Sequence, residues 1–158
     1  MTPRQIENLQ AGPDTDAAIE AQFFKHGVAL LERGWTVLDA GDSQWRDPRK
    51  FSTDVITALA ILTACPGWQM WQTLEGDIYK VNVQLSVRVE MPDGIVALIT
   101  GVGTDLSMAL AICKAALMLA VGLARRDRFL HGNPLATGQY VRLPSLYVCP
   151  RHGRSEAQ

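Results

Sequence analysis

The sequence predicts an α+β fold: a helix, an antiparallel three-stranded sheet and a second helix. Three observations carry this. An unbroken period-two alternation runs from Tyr79 to Glu90. Turn signals bracket it at Glu75-Gly76-Asp77 and Pro92-Asp93-Gly94. Apolar segments of helical length stand on both sides, before Pro66-Gly67 and after Gly101-Val-Gly103. The centre spans residues 51–124. Residues 1–50 form an N-terminal helical segment and loop, and residues 125–158 an arginine-rich extension of irregular structure, all within a single domain.

In the N-terminal segment Pro3 suits a first helical turn. Ala11-Gly12-Pro13-Asp14 breaks that helix. Asp14 or Thr15 is the expected cap of a second helix through Leu31, with Ala18, Ile19, Phe23, Ala29 and Leu30 as its apolar stripe and Gly34 as its stop. Trp35-Thr-Val-Leu38 reads as a short strand, followed by a polar loop to Lys50.

The first core helix takes Ser52 as N-cap, with Thr53 and Asp54 in its first turn, where negative charge suits the dipole. Phe51 and Ile56 are spaced for a hydrophobic staple, Val55, Leu59 and Leu62 form one face, and Pro66-Gly67 stop the helix near Cys65. Trp68 to Leu74 is the first strand. In the second, Tyr79, Val81, Val83, Leu85, Val87 and Val89 point one way and Lys80, Asn82, Gln84, Ser86, Arg88 and Glu90 the other, which means one buried and one wet face. Ile95 to Thr100 returns. Gly101-Val-Gly103 is expected to be a tight turn into a helix capped by Thr104 or Asp105 and ending near Ala124.

That last helix is apolar nearly all round, with Leu106, Leu110, Cys113 and Leu117 on one side and Met108, Ala111, Ile112, Ala115 and Leu119 on the other. Such a helix must be covered twice. The sheet supplies one cover; the N-terminal helices, the C-terminal extension or a second copy must supply the other, which is the ground for expecting a homodimer. Asp105 and Lys114 argue against a membrane span. Beyond Arg125, short edge strands are expected at residues 140–143 and 145–149, with residues 151–158 frayed.

At 158 residues, 47% hydrophobic and 20% charged, the chain buries roughly 70% of its unfolded surface, enough for one core without metal or disulfide. Net charge is −1, unevenly placed: six basic against eight acidic residues before position 51, three against six in residues 51–124, and six arginines against two acids thereafter. Cys65, Cys113 and Cys149 lack paired spacing. With no apolar core of a signal peptide near Met1, this fits a reducing cytoplasm.

No motif builds a catalytic centre. Cys149-Pro-Arg-His152 has the spacing of half a zinc site but no second pair, Gly101-Val-Gly103-Thr-Asp105 lacks the lysine of a phosphate loop, and the serines sit in no nucleophile elbow. No cofactor is expected. The candidate binding residues are the polar row Lys80, Asn82, Gln84 and Arg88, next to Trp68 or Trp71, and the cluster Arg125, Arg126 and Arg128. The cluster also suits a helix end on dipole grounds.

The element order, with an alanine-rich helix after Gly-x-Gly, resembles a double-stranded-RNA-binding domain. The positions that carry phosphate-gripping lysines in such domains read Thr104-Asp-Leu-Ser-Met108 here, and a local charge of −3 repels a polyanion. A second resemblance lies in Ile6-Glu-Asn-Leu-Gln-Ala-Gly-Pro-Asp14 with Asp16-Ala-Ala-Ile19, in Phe51-Ser-Thr-Asp54 with Ala58, and in Ala109-Leu-Ala-Ile-Cys-Lys-Ala-Ala-Leu117. In that order they are similar to the phage ABA-sandwich domain, a family of small phage proteins without assigned function. This resemblance, together with the small size, the absence of a catalytic motif and the expected symmetric assembly, leads to the expectation of a non-enzymatic phage or prophage accessory protein in the host cytoplasm, which binds a host or defence protein or sequesters a small signalling molecule. The alternative is a nucleic-acid-associated protein using its basic tail; neither nucleic acid nor membrane is the expected partner.

Overall fold

The computed structural model describes residues 1–39 and 41–132, with side chains to Asp127. The strands expected at residues 140–143 and 145–149, the frayed end at 151–158 and the Cys149–His152 half-site lie outside the described residues. The fold is α+β, as the sequence predicts, but it holds two antiparallel three-stranded sheets rather than one.

Helix α1 (Pro3–Glu7) opens with a capping box between Thr2 and Gln5 and Pro3 in its first turn. Helix α2 (Pro13–Ala18) is capped by Gly12, not by Asp14 or Thr15; Thr15 instead donates its hydroxyl to the Gln10 carbonyl. It runs into one π-helical turn, Ile19–Phe23, and stops. Lys25 then takes a left-handed conformation at φ 62°, and the chain turns into β1 (Gly27–Leu31) rather than continuing as helix. β1 pairs with β2 (Gly34–Leu38), leaving Glu32-Arg33 as a two-residue turn, and β2 pairs with β3 (Trp45–Arg46). Thus Ala29 and Leu30 belong to a strand, and the predicted helix through Leu31 is corrected to a hairpin.

Helix α3 (Val55–Ala64) begins two residues later than expected, with Asp54 as the cap, accepting from the Ile56 amide. Ser52 is buried and tied to Gly12 and Asp16 instead. Phe51 is buried but Ile56 is 80% exposed, so the expected staple does not form. The buried face is Ala58, Ile61 and Leu62, while Val55 and Leu59 lie outward.

The central sheet has the order β4 (Trp68–Glu75), β5 (Ile78–Glu90), β6 (Val96–Asp105). On β5, Val81, Val83, Leu85, Val87 and Val89 are buried, as the alternation requires; Tyr79 is exposed at the hairpin end. Gly101 and Gly103 are strand residues opposite Leu85 and Val83, not a turn. A β-carbon on Gly101 would collide with backbone atoms of Ala115 and Leu119, and one on Gly103 with those of Ala111 and Ala115. Their absence lets helix α4 (Met108–Gly132) lie directly on the sheet.

Helix α4 is preceded by Ser107, whose hydroxyl accepts from the Leu110 amide; Asp105 accepts from the Ser107 amide. The helix continues through Arg125 to Gly132, beyond the expected end at Ala124. Its second cover comes from within the chain: Ile6 of α1, Ile19 and Phe23 of the π turn, and α3 all join its core. Lys114, 6% exposed, is accommodated by donating to the Glu7 carbonyl and to Asp105. The segment Met108–Asp127 is long and apolar enough to cross a membrane, yet two thirds of it is buried, which is how the core helix of a soluble domain is built.

Candidate functional site

The open face of the central sheet is the surface that the sequence nominated. Strand register settles which side chains share it. Trp71 sits opposite Asn82 and Gln69 opposite Gln84. On the other side Thr104, Val102, Thr100, Leu98 and Val96 oppose Asn82, Gln84, Ser86, Arg88 and Glu90. Partners in an antiparallel pair project to the same side, so all these residues lie on the face away from α4. Trp68 pairs with the buried Leu85 and projects to the opposite face; of the two tryptophans, Trp71 belongs to the row.

The four nominated residues do share this face, but their polar groups are not equally available. Lys80 forms an ion pair with Glu75 across the strands. Asn82 is buried, its amide donating to Thr73 Oγ1 at 3.0 Å and its oxygen accepting from Thr104 at 2.8 Å. The Gln84 amide donates to Ser86. Arg88 is exposed. Lys80, Asn82 and Gln84 therefore brace the face internally, and it shows to solvent Trp71, Arg88 and the apolar Val96, Leu98 and Val102 of β6, interspersed with Gln69, Thr73, Glu90, Thr100 and Thr104. These β6 positions went unnoticed in the sequence because no alternation marks them: Ile95 to Leu98 reads as a continuous apolar run.

The arginine cluster is dispersed. Arg125 is exposed near the far end of α4. Arg126 is buried, its Nε on Met91 Sδ at 3.3 Å and its Nη2 donating to the Glu90 carbonyl at 3.1 Å, so it straps the β5–β6 hairpin to the helix. For Arg128 the description ends at its place on α4.

A second site was not foreseen. Glu20, on the π turn and fully buried, lies among Arg46, Arg49 and His26. Arg46 bonds both its oxygens at 3.1 and 2.9 Å and also holds Asp39; Arg49 approaches at 2.8 Å, and His26 Nδ1 at 2.6 Å. Burial alone would raise the Glu20 carboxyl, but the bonds from Arg49, Arg46 and His26 outweigh it and hold it at about 2. Ligand atoms of Glu20, His26 and Asp39 lie within 4.8 Å of one another, a spacing a metal ion could use. The two guanidinium groups already occupy the carboxylate oxygens and place positive charge where a cation would sit. His26 makes its hydrogen bonds, among the described residues, to carboxylates and a guanidinium, with no nucleophile in the set. Arg49 also stacks over Phe24 and Phe51 at 4.6 and 4.7 Å. The arrangement clamps the small sheet and the approach to α3 onto the π turn.

The third feature is an apolar groove of about 610 Å³ between α3, β4 and the start of α4, lined by Leu59, Leu62, Thr63, Pro66, Trp68, Met70 and Met108. It lies on the side of the sheet opposite the polar row. Cys65 and Cys113 are buried thiols, and burial pushes the Cys113 thiol up, away from the range in which a thiolate forms at neutral pH.

Comparison of the chain with protein families, with curated proteins and with solved structures returned no match.

Proposed function

We propose that the protein is a non-enzymatic binding protein whose outer sheet face docks on another protein, in the setting of a phage or prophage accessory factor acting in the host cytoplasm on a host or defence protein. The observation that carries this reading is the composition of that face: exposed Arg88 stands opposite Leu98, between exposed Val96 and Val102, with Trp71 farther along on the edge strand, and among the described residues no element lies over it. The internally braced Asn82 and Gln84 support it, since a docking surface profits from side chains fixed before binding. The phage setting rests on the sequence resemblance alone.

A protein partner is preferred to a nucleic acid because, of the described cations near the sheet, Lys80 is paired with Glu75 and Lys114 with Asp105, while exposed Arg88 shares its face with exposed Glu90, which leaves little counterion release to drive polyanion binding. It is preferred to a small signalling molecule because the exposed groups are spread over three strands of an extended surface. The test is affinity capture from bacterial lysate with the full chain and with Trp71→Ala and Leu98→Asp. A partner held by the wild type and lost from both variants, each with an unchanged circular dichroism spectrum, is the expected outcome. Capture indifferent to both substitutions removes this face from the function.

A further inference from the structure

Helix α3 is ten residues, Val55–Ala64, without one charged side chain. Surface helices carry a polar stripe opposite the core; here the outward positions are Val55, Ile56, Leu59 and Thr63, only the last of them polar, with Ile56 80% exposed. Among the described residues the strand that follows, β4, is an edge strand of eight residues. Its single charge, Glu75, stands at the last position and is paired with Lys80. Exposed edges are normally protected by lysine, proline or a bulge. β4 has no lysine or proline, and its register with β5 runs one to one throughout, without a bulge. The groove lies between this helix and this strand.

We propose that this face seats a second copy of the chain, with the two β4 edges pairing antiparallel about a two-fold axis and each α3 closing over the groove of the other copy. The occupant follows from self-complementarity. An antiparallel pair of identical strands is related by a two-fold axis, so one edge is its own partner. The same patch supplies both the projecting Ile56 and the concave groove. Within α3 and β4 the charge is confined to Glu75, neutralised by Lys80, with the exposed Asp54 at the N-cap just before α3, so apposing the two strands and helices of identical copies brings no unpaired charges together.

The dimensions also suit. Eight residues of β4 extend about 27 Å, and sheet edge to outer helix surface spans roughly 20 Å. The face is then on the order of 500 Å² in projection and larger in accessible area. That reaches the upper end of what monomers leave exposed and the scale of about 800 Å² per partner found in stable interfaces.

This dimer differs from the one the sequence suggested, since α4 is covered by its own chain and, among the described residues, it is α3 and β4 that lack a cover. It has a consequence for the opposite side of the sheet. The paired edges make one six-stranded sheet, and Trp71 of each copy lies near the axis on the outer face, so each copy contributes a tryptophan to a single central platform. The dimer stands independently of the partner-binding proposal, because its surface and its readout are different.

Light scattering coupled to size-exclusion chromatography of the full chain should give twice the 17.3 kDa protomer mass at micromolar concentration. Ile56→Glu, at a position too exposed to matter for folding, should weaken self-association at least about thirty-fold, as expected for removing an interface anchor. Leu98→Glu on the outer face should leave the dimer intact. Hydrogen exchange of the β4 amides that face away from β5 should be slow in the wild-type dimer and fast in Ile56→Glu, while the amides bonded between β4 and β5 stay protected in both. A wild type that remains at the protomer mass at all concentrations overturns the proposal. So does an Ile56→Glu protein that still dimerises, or a dimer whose outward β4 amides exchange as fast as those of the monomer.

Discussion

Glu20 is fully buried and bonded to Arg46, Arg49 and His26, and this arrangement bears on stability. The carboxyl is held at about 2 against an ordinary 4.5, so the folded state binds its proton later than the unfolded state as pH falls. The stability this contributes is fully present above pH 4.5 and is lost as pH drops toward 2; a shift of this size corresponds to about 3 kcal/mol. Asp16 works against the slope: burial raises its carboxyl despite bonds from Ser52, so acid relieves part of its cost. Urea unfolding at several pH values should show stability falling steeply between about pH 5 and pH 2. Glu20→Gln should be less stable at neutral pH, because two guanidinium groups lose their counter-charge, and its curve should be flatter over the acid range. An unchanged acid slope in that variant would place the pH dependence elsewhere. None of this was legible beforehand. The partners of Glu20 lie 6, 26 and 29 residues away, and sequence patterning reports neighbours on one element, not side chains that converge from four.

Elements were legible where periodicity was strong and obscure where two conformations fit the same letters. The β5 alternation could be read only one way, and its buried valines are where it places them. Gly101-Val-Gly103 could be read two ways, as a turn or as a strand needing close approach, and the deciding fact is the backbone of α4 lying against it. Likewise Gly27–Leu31 is apolar without alternation, so it passed as helix until the left-handed Lys25 and the pairing with β2 made it a strand. The glycine contact gives an element-scale prediction. Gly103→Ala forces a methyl group into helix backbone, which cannot move aside as a side chain would, and should destabilise the protein by about 3 kcal/mol, the upper end of overpacking costs. Gly76→Ala, at φ 66° with open space around it, should cost only about 1 kcal/mol of left-handed backbone strain. Equilibrium denaturation of the two variants checks the contrast, and equal losses would mean that helix and sheet are not in backbone contact there.

At the scale of the whole molecule, α4 organises the core: the central sheet covers one side of it, and α1, the π turn and α3 close over the rest. The helix–sheet–helix centre of residues 51–124 is therefore a recognisable topology but not a self-sufficient unit, because the side chains that close its core include Ile6, Ile19 and Phe23 from outside it. The clamp around Glu20 and the bond from Ser52 to Asp16 fasten the N-terminal segment to the approach of α3, so the segment and the centre should fold as one cooperative unit. Thermal unfolding of the full chain should then give one transition, coincident in far-ultraviolet and near-ultraviolet circular dichroism. A fragment of residues 51–132 should show no cooperative melt, since it exposes the back of α4 and leaves Lys114 without the Glu7 carbonyl. Removing three fully buried large side chains alone costs several kcal/mol, comparable with the entire stability of a domain this size. A fragment that melts cooperatively would show instead that the N-terminal segment is an appendage, and that the covering of α4 is not what makes residues 1–50 part of the domain.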